Sequence, residues 1–318
     1  VTRIIGRPRV LLTAVATALV LAGCGSGPSQ ATSAAIVGDR SIALDDVQQE
    51  IQWLLDNVPE AQQAKQQRKF DIESRKIVQS RVVHQLLTVA AERDGLRADD
   101  QQIAELINSS GGREAAARAV RVEPERLDDV AGDQLLLQQL GQKYVDRLSV
   151  SLIGTTISSE SPGATAEDAA LDLGRRISAD PGNAASIIQS GGHQVLDERF
   201  SLAEALQASP ELAVSAVFGA DEGDVLVIQP SREQTGWLVA LVRERTVSGA
   251  AGSGSDAAAQ SDPQMLYQVG LRMLQPLADE LGVRINPRYG VWDQTAMTVA
   301  ASEDELTGYQ LQPRTVQP

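Results

Sequence analysis

Histidine and cysteine are nearly absent: the 318 residues hold two of the first and one of the second. A single cysteine excludes any disulfide within the chain. His84 and His193 stand far apart with no carboxylate pattern beside them, which leaves little for a zinc site or a catalytic triad. There is no helical two-histidine zinc signature, Walker loop, nucleophile elbow or EF-hand loop, so neither a metal nor a cofactor is expected. Aromatic residues are scarce as well, at 3%. Cores must therefore be built mainly from Ala, Leu, Val and Ile, which suits helices. Positive charge is short, with 28 Lys and Arg against 42 Asp and Glu and a formal net charge of −14. Nucleic acid selects basic surfaces and is excluded as a partner. Lying flat on anionic lipid is disfavoured for the same reason.

One long apolar run stands out. Arg3, Arg7 and Arg9 precede Val10 to Leu21, which is almost entirely Leu, Val, Ala and Thr. A basic head and a dozen apolar residues have the layout of a secretory signal peptide. The run is too short for a mature membrane span, which needs about 20 residues. It ends in Leu21-Ala22-Gly23-Cys24, which resembles a bacterial lipobox. That resemblance implies that Leu21, Ala22 and Gly23 are read by the signal peptidase and that residues 1–23 are removed. Cys24 then carries a diacylglyceryl thioether, and the mature body sits on the outer face of the cytoplasmic membrane. Each buried acyl CH₂ contributes about 0.8 kcal/mol, so two chains hold firmly where one does not. Removal of 1–23 takes three arginines and no carboxylate, moving the formal charge from −14 to −17.

Residues 24–33 are Gly, Ser, Pro, Gln, Ala and Thr beyond the cysteine, a tether. Order is expected from Ala34. Two short strands around Gly38-Asp39 come first, then a helix from Leu44 or Asp45 carrying Val47, Ile51, Leu54 and Leu55. A long helix follows from about Ala61 to Arg93, with Ile72, Val78, Val82, Leu86 and Val89 as its apolar stripe. Asp94-Gly95 stops it. Asp99 or Asp100 caps a shorter helix, Gly111-Gly112 breaks it, and a last helix reaches roughly Leu148. From 150 to 247 the texture mixes β-rich runs (Ser151–Ile157, Val225–Ile228, Trp237–Val242) with helical ones, which indicates a small α+β domain. Residues 248–262 form a Gly/Ser/Ala linker. A helix from Pro263 and a strand at Val283–Asn286 complete residues 263–293, and 294–318 is a tail. The fold expected is mainly α, with the helical domain 34–149 interrupted by an α+β insert at 150–247. Val283–Asn286 is expected to pair antiparallel with Ala35–Val37, which would satisfy both backbones.

The opening Ala35-Ile36-Val37-Gly38-Asp39-Arg40-Ser41-Ile42, followed by Asp45-Asp46-Val47, resembles the start of SurA-type and PrsA-type chaperones. A late helix opening at Val122-Glu123-Pro124-Glu125-Arg126-Leu127 extends the match to about Leu148. Leu281-Gly282-Val283-Arg284-Ile285-Asn286-Pro287 is similar to a motif of actinobacterial SurA-like lipoproteins. The resemblance implies a helical chaperone domain completed by the C-terminal helix and strand. In such proteins the following segment is often a parvulin-type prolyl isomerase. Here Ala216 to Val225 and Gly236 to Val242 resemble two of its stretches. The family's histidines are missing, however: Val150 to Ile157 has none, and Leu238 stands where the closing strand usually carries one. Isomerisation faces a barrier near 20 kcal/mol, and lowering it requires a pocket shaped for the twisted amide. The implied domain is a degenerate parvulin without catalytic residues.

His84 reads as a helix residue at the edge of the core and His193 as a loop residue. Acidic pairs such as Asp45-Asp46 and Asp128-Asp129 lie at helix starts, where carboxylates meet free N–H groups. Trp53, Phe70, Phe218 and Trp237 are candidate peptide contacts, set against core packing as the default for large aromatics. The expected function is that of a membrane-anchored extracytoplasmic chaperone whose partners are unfolded or newly exported polypeptides. The alternatives are an active parvulin-type prolyl isomerase and a non-enzymatic scaffold lipoprotein of the cell envelope.

Overall fold

The computed structural model describes residues 31–158, 165–229, 236–249 and 261–313. Strands β1 (Ser33–Val37) and β2 (Arg40–Ala43) form a hairpin that leads into six helices: α1 (Leu44–Asn57), α2 (Pro59–Gln66), α3 (Phe70–Asp94), α4 (Asp100–Ser109), α5 (Arg113–Val120) and α6 (Leu127–Val145). An α+β segment follows: β3 (Leu148–Ile157), α7 (Ala166–Ala179), α8 (Ala184–Ser190), β4 (Leu196–Ser201), α9 (Leu202–Ala208), α10 (Pro210–Ala213), β5 (Val225–Ile228) and β6 (Trp237–Val247). The chain closes with α11 (Pro263–Met273), α12 (Gln275–Leu281), β7 (Val283–Ile285), β8 (Val291–Asp293), β9 (Thr298–Ala300) and β10 (Gly308–Leu311). The architecture is a helical unit plus an α+β unit, mainly α with a smaller mixed part.

The expected pairing of the chain's ends is present. β7 lies antiparallel on β1, with Ala35 opposite Ile285 and Val37 opposite Val283. Asn286 adds a side-chain hydrogen bond to the Ser33 carbonyl at 2.9 Å. The five-stranded sheet runs β10-β5-β6-β3-β4, with every neighbouring pair antiparallel. Its two faces differ, as the period of two requires. Trp237, Val239 and Leu241 of β6 join α7 and α8 in one core. Leu238, Ala240 and Val242 point the other way, into a core shared with Val82, Leu86, Leu137 and Leu140 of the helical unit. The α+β part therefore shares a core with the helices rather than standing apart as a separately packed insert.

Several local expectations are corrected. The helix foreseen from Ala61 to Arg93 breaks after Gln66, where Arg68 takes a left-handed φ of 59° before α3 starts. A non-glycine residue rarely adopts that conformation, and the Gln-Arg-Lys run carries no sign of it. Ile72 leaves the buried stripe and is 43% exposed, because it falls in the first turn of α3. The buried row is Ile77, Val78, Val82, Val83, Leu86, Leu87 and Ala90. Leu148 opens β3 rather than closing α6. The C-terminal helix is two helices joined at Leu274, since Pro276 has no N–H to continue the ladder. Residues 294–313, foreseen as tail, build β9 and β10, and the latter extends the sheet alongside β5.

Helix α11 lies across α6 at very close range. A Cβ at Gly141 would overlap the Leu266 carbonyl oxygen, and one at Gly270 would overlap the Leu137 carbonyl. Two glycines, one on each helix, allow the backbones to meet. α11 thus becomes a ridge on α6 with a cleft on either side.

Candidate functional site

On one side of that ridge, α3, α6 and α11 enclose a cleft of about 430 Å³. Val83, Val130, Leu137, Tyr267 and Leu271 give it apolar walls. A second cleft of about 490 Å³ lies between α1, α3 and the end of α5, with Leu54, Ile77, Val120 and Val122 in its lining. Lys76, Ser80 and Val130 line both, so the two form one trough along α3. Val120, at 51% exposure, is the most exposed large apolar side chain among the described residues, and it sits at one end of this trough.

The trough wall is held by charges that are matched. Glu50 on α1 is fully buried, and the Arg126 guanidinium donates to both its carboxylate oxygens at 2.9 and 2.8 Å. Arg81 on α3 donates to Glu50 at 2.9 Å and to Glu123 at 3.0 Å. Two carboxylates thus face two guanidiniums. Burial pushes the Glu123 carboxyl up from its ordinary range, with Glu50 adding to the rise and Arg81 opposing it. At the rim, Glu73 pairs with Lys76 at 3.2 Å and with Arg121 at 3.0 Å. Asp133 lines the trough and accepts from or shares a proton with His84 Nδ1 at 2.9 Å. That hydrogen bond raises His84, against the lowering effect of burial. His84 is therefore part of the trough's support, a position helical periodicity alone did not reveal. The arrangement has no nucleophile with an adjacent base.

The candidate peptide contacts are not brought together. Phe218 is fully buried in the shared core, and Trp237 is 7% exposed in the core on the opposite face of the sheet. Neither offers surface to a visiting chain, and packing, the default for such large side chains, takes them both. Trp53 is half-buried on α1 between the shared core and the α4–α5–α6 core. Phe70 is half-buried at the start of α3, lining a cleft of about 280 Å³ with Tyr289, Arg75 and Arg288. Leu21, Ala22, Gly23 and Cys24 lie outside the described residues. The trough residues were missed because they sit at the margins of apolar stripes, where sequence reads them as core.

The sheet face turned towards the helices is closed by packing. Leu238 is buried opposite Thr156 and Ile228. Met297 and Phe218 belong to the same core. Arg272, held by burial at a lowered pKa of about 10 and so still charged at neutral pH, donates to the carbonyls of Val214 and Thr295. These bonds tie α11 to the two loops beside that face. His193 lies after α8, in the loop before β4. Among the described residues no group of three or more His, Cys, Asp or Glu could hold a metal, and no helix is long and apolar enough to cross a membrane.

The described chain is a helical unit closed by its own C-terminal helix and strand and joined to a five-stranded antiparallel sheet. Residues 8–141 match the family model described as the SurA-like N-terminal domain. Among solved structures it is similar to the foldase protein PrsA from Lactococcus lactis, at 12% identity and a TM-score of 0.27, over 80% of this chain and 94% of that one. No curated protein matches.

Proposed function

We propose that this chain is a membrane-tethered extracytoplasmic chaperone that holds unfolded or newly exported polypeptides in the trough along α3. The observation that carries the reading is the trough itself. It has apolar walls, its rim charges are paired with one another, and apart from the residues of α11 its lining lies within the segment that matches the SurA-like domain. Burial of apolar surface contributes about 25 cal/mol per Å², so a trough of this size holds an extended segment weakly and reversibly. Paired rim charges make no demand on client sequence. The lipobox resemblance at Leu21-Ala22-Gly23-Cys24 supports attachment through Cys24, which concentrates the protein where exported chains emerge.

Prolyl isomerase activity is the rival reading, and the burial of Leu238 together with its whole sheet face weighs against it. The deciding experiment pairs two measurements on the full chain. Suppression of aggregation of an unrelated unfolded protein at stoichiometric amounts is expected, with no acceleration of cis/trans exchange in a proline peptide coupled to a protease. A chain that suppresses nothing overturns the proposal, and clear catalysis replaces holding with isomerisation.

A further inference from the structure

Unpaired positive charge gathers at the pole where the chain enters the fold. Leu44, the first residue of α1, donates its N–H to the Thr32 carbonyl at 3.0 Å, which sets the entry beside the start of that helix. One turn on, about 6 Å along the axis, Gln48 holds the Tyr289 hydroxyl at 2.6 Å. Gln48 and Ile51 line the cleft of about 280 Å³ with Phe70, Arg288 and Tyr289. The last turn of α2 and the bend that leads into Phe70 carry Lys65, Arg68 and Lys69, all exposed. The Arg68 N–H donates to the Lys65 carbonyl at 3.1 Å and the Lys69 N–H to the Ala64 carbonyl at 2.9 Å, which pins the three cations on one bend. The side chains of Lys65, Arg68, Lys69 and Arg288 take part in no ion pair or hydrogen bond among the described residues. Asp71, in the same stretch, is paired with Arg75 at 2.8 Å. Ile72 stands 43% exposed, with Lys69 three residues before it and Lys76 four after it along α3. The carboxylates set against the patch are Asp45 and Asp46 in the first turn of α1, where free N–H groups offset their charge. Glu60 lies at the other end of α2.

We infer that this pole docks on an anionic phospholipid surface, with Lys65, Arg68, Lys69 and Arg288 meeting headgroup phosphates and Ile72 entering between them. Chain length and charge select that partner. Residues 25–30 separate Cys24 from Ala31, so at about 3.5 Å per residue the entry point stands no more than about 25 Å from the acylated residue. A leash that short keeps the entry pole beside the bilayer, and docking becomes an intramolecular step that weak contacts suffice to drive. The formal net charge of −14 holds the body as a whole off anionic lipid. The patch is the exception, and repulsion elsewhere makes it the pole that turns inward. Lys76, one turn beyond Ile72, lines the trough, so docking also holds one end of the trough close to the membrane surface. The inference rests on the lipid tether of the proposed function and adds to it the orientation of the body.

Cys24 is the sole native cysteine, so in the acylated chain an introduced cysteine takes a thiol label alone. The test places a fluorophore on Ile72→Cys in the full acylated chain isolated from membranes. The labelled protein is reconstituted into vesicles of phosphatidylcholine, alone or mixed with phosphatidylglycerol, that carry a nitroxide on some headgroups. Quenching is expected in the mixed vesicles and not in the neutral ones. It should vanish in about 1 M salt, where the screening length is about 3 Å. A label on Glu198→Cys, on the exposed strand β4, should stay unquenched in both. Each cation at an anionic surface contributes about fivefold, the effect of about 1 kcal/mol. Lys65→Gln/Arg68→Gln/Lys69→Gln therefore lowers the weight of the docked state by roughly a hundredfold and returns the label to its signal in neutral vesicles. Lys65→Arg/Lys69→Arg keeps the quenching. Equal quenching in the two vesicle types overturns the inference, as does quenching that survives the triple Gln variant. A spectral change that appears without vesicles and grows with protein concentration gives the face to a second copy of the chain and overturns it too. Co-flotation reads the tether separately. A chain that floats with both lipid mixtures but shows no quenching loses only this inference; one that floats with neither loses the tether reading as well.

Discussion

The Arg126 guanidinium reaches both oxygens of the Glu50 carboxylate at 2.9 and 2.8 Å, across a gap of 76 residues in sequence. Glu50 belongs to α1 and Arg126 to the turn before α6, so this pair fixes the angle at which the first helix meets the last of the N-terminal unit. Arg81 joins from α3, making Glu50 the point where three elements converge. Replacing Glu50 by alanine leaves two buried guanidiniums facing a single carboxylate, Glu123. The expected cost is about 3–5 kcal/mol, read as a lower urea midpoint at unchanged slope.

Val130 lines both halves of the trough. Val130→Glu places a carboxylate on the apolar floor beside Asp133 and Glu50. Suppression of aggregation is expected to fall by at least about fivefold, the effect of roughly 1 kcal/mol. The urea midpoint should move far less than in the Glu50 variant. Undiminished suppression would remove the trough from the account.

His84 titrates from a pKa raised by its bond to Asp133. Because the folded value lies above the unfolded value of 6.5, the pair's contribution is complete below about pH 6.5 and fades as pH climbs through the folded pKa. Denaturant midpoints at about pH 6 and about pH 8 should differ more for the native chain than for His84→Gln. A native chain no more pH-dependent than the variant contradicts this.

Asp224 presents the opposite charge case. Burial pushes its carboxyl up to about 6, even though it accepts hydrogen bonds from the Asp221 backbone and from Gln310 on β10, each at 2.8 Å. An acid whose folded pKa is raised stabilises the fold most below its unfolded pKa, and that advantage is lost as pH rises towards 6. Asp224→Asn keeps an acceptor for both bonds and removes the charge. The variant should be more stable than the native chain at neutral pH and should show a flatter stability profile between about pH 4 and about pH 6. A calorimetric pH series reads both.

Cys24→Ser tests the tether without touching the described fold. A radiolabelled acyl precursor should no longer be incorporated, and the protein should leave the membrane fraction. Retention of both label and membrane association would rule out Cys24 as the anchor.

Much of the framework was legible in residue order. Val78, Val82 and Leu86 announce the buried row of α3, Gly95 its left-handed end, and Asp99 the cap of α4, where it accepts from the Gln102 amide at 3.0 Å. These are local matters, settled within a turn or two of backbone. β4 was not legible, because its Leu-Asp-Glu-Arg-Phe-Ser run is an exposed, charged edge without apolar alternation. β10 was not either, because four residues carry too little pattern. Phe218 and Trp237 were offered as contacts because a large aromatic reads alike in a core and in a groove. Only the packing of the sheet faces separates the two.

Periodicity, the break at Gly95 and the β1–β7 pairing followed from the amino-acid order alone, since backbone geometry and local solvation decide them. The trough and the Glu50 cluster came only with the tertiary structure. The half of the trough between α3, α6 and α11 depends on where α11 crosses α6, and that crossing is decided by two glycines, Gly141 and Gly270, that have no apolar period of their own and meet only when residues 129 positions apart are brought together.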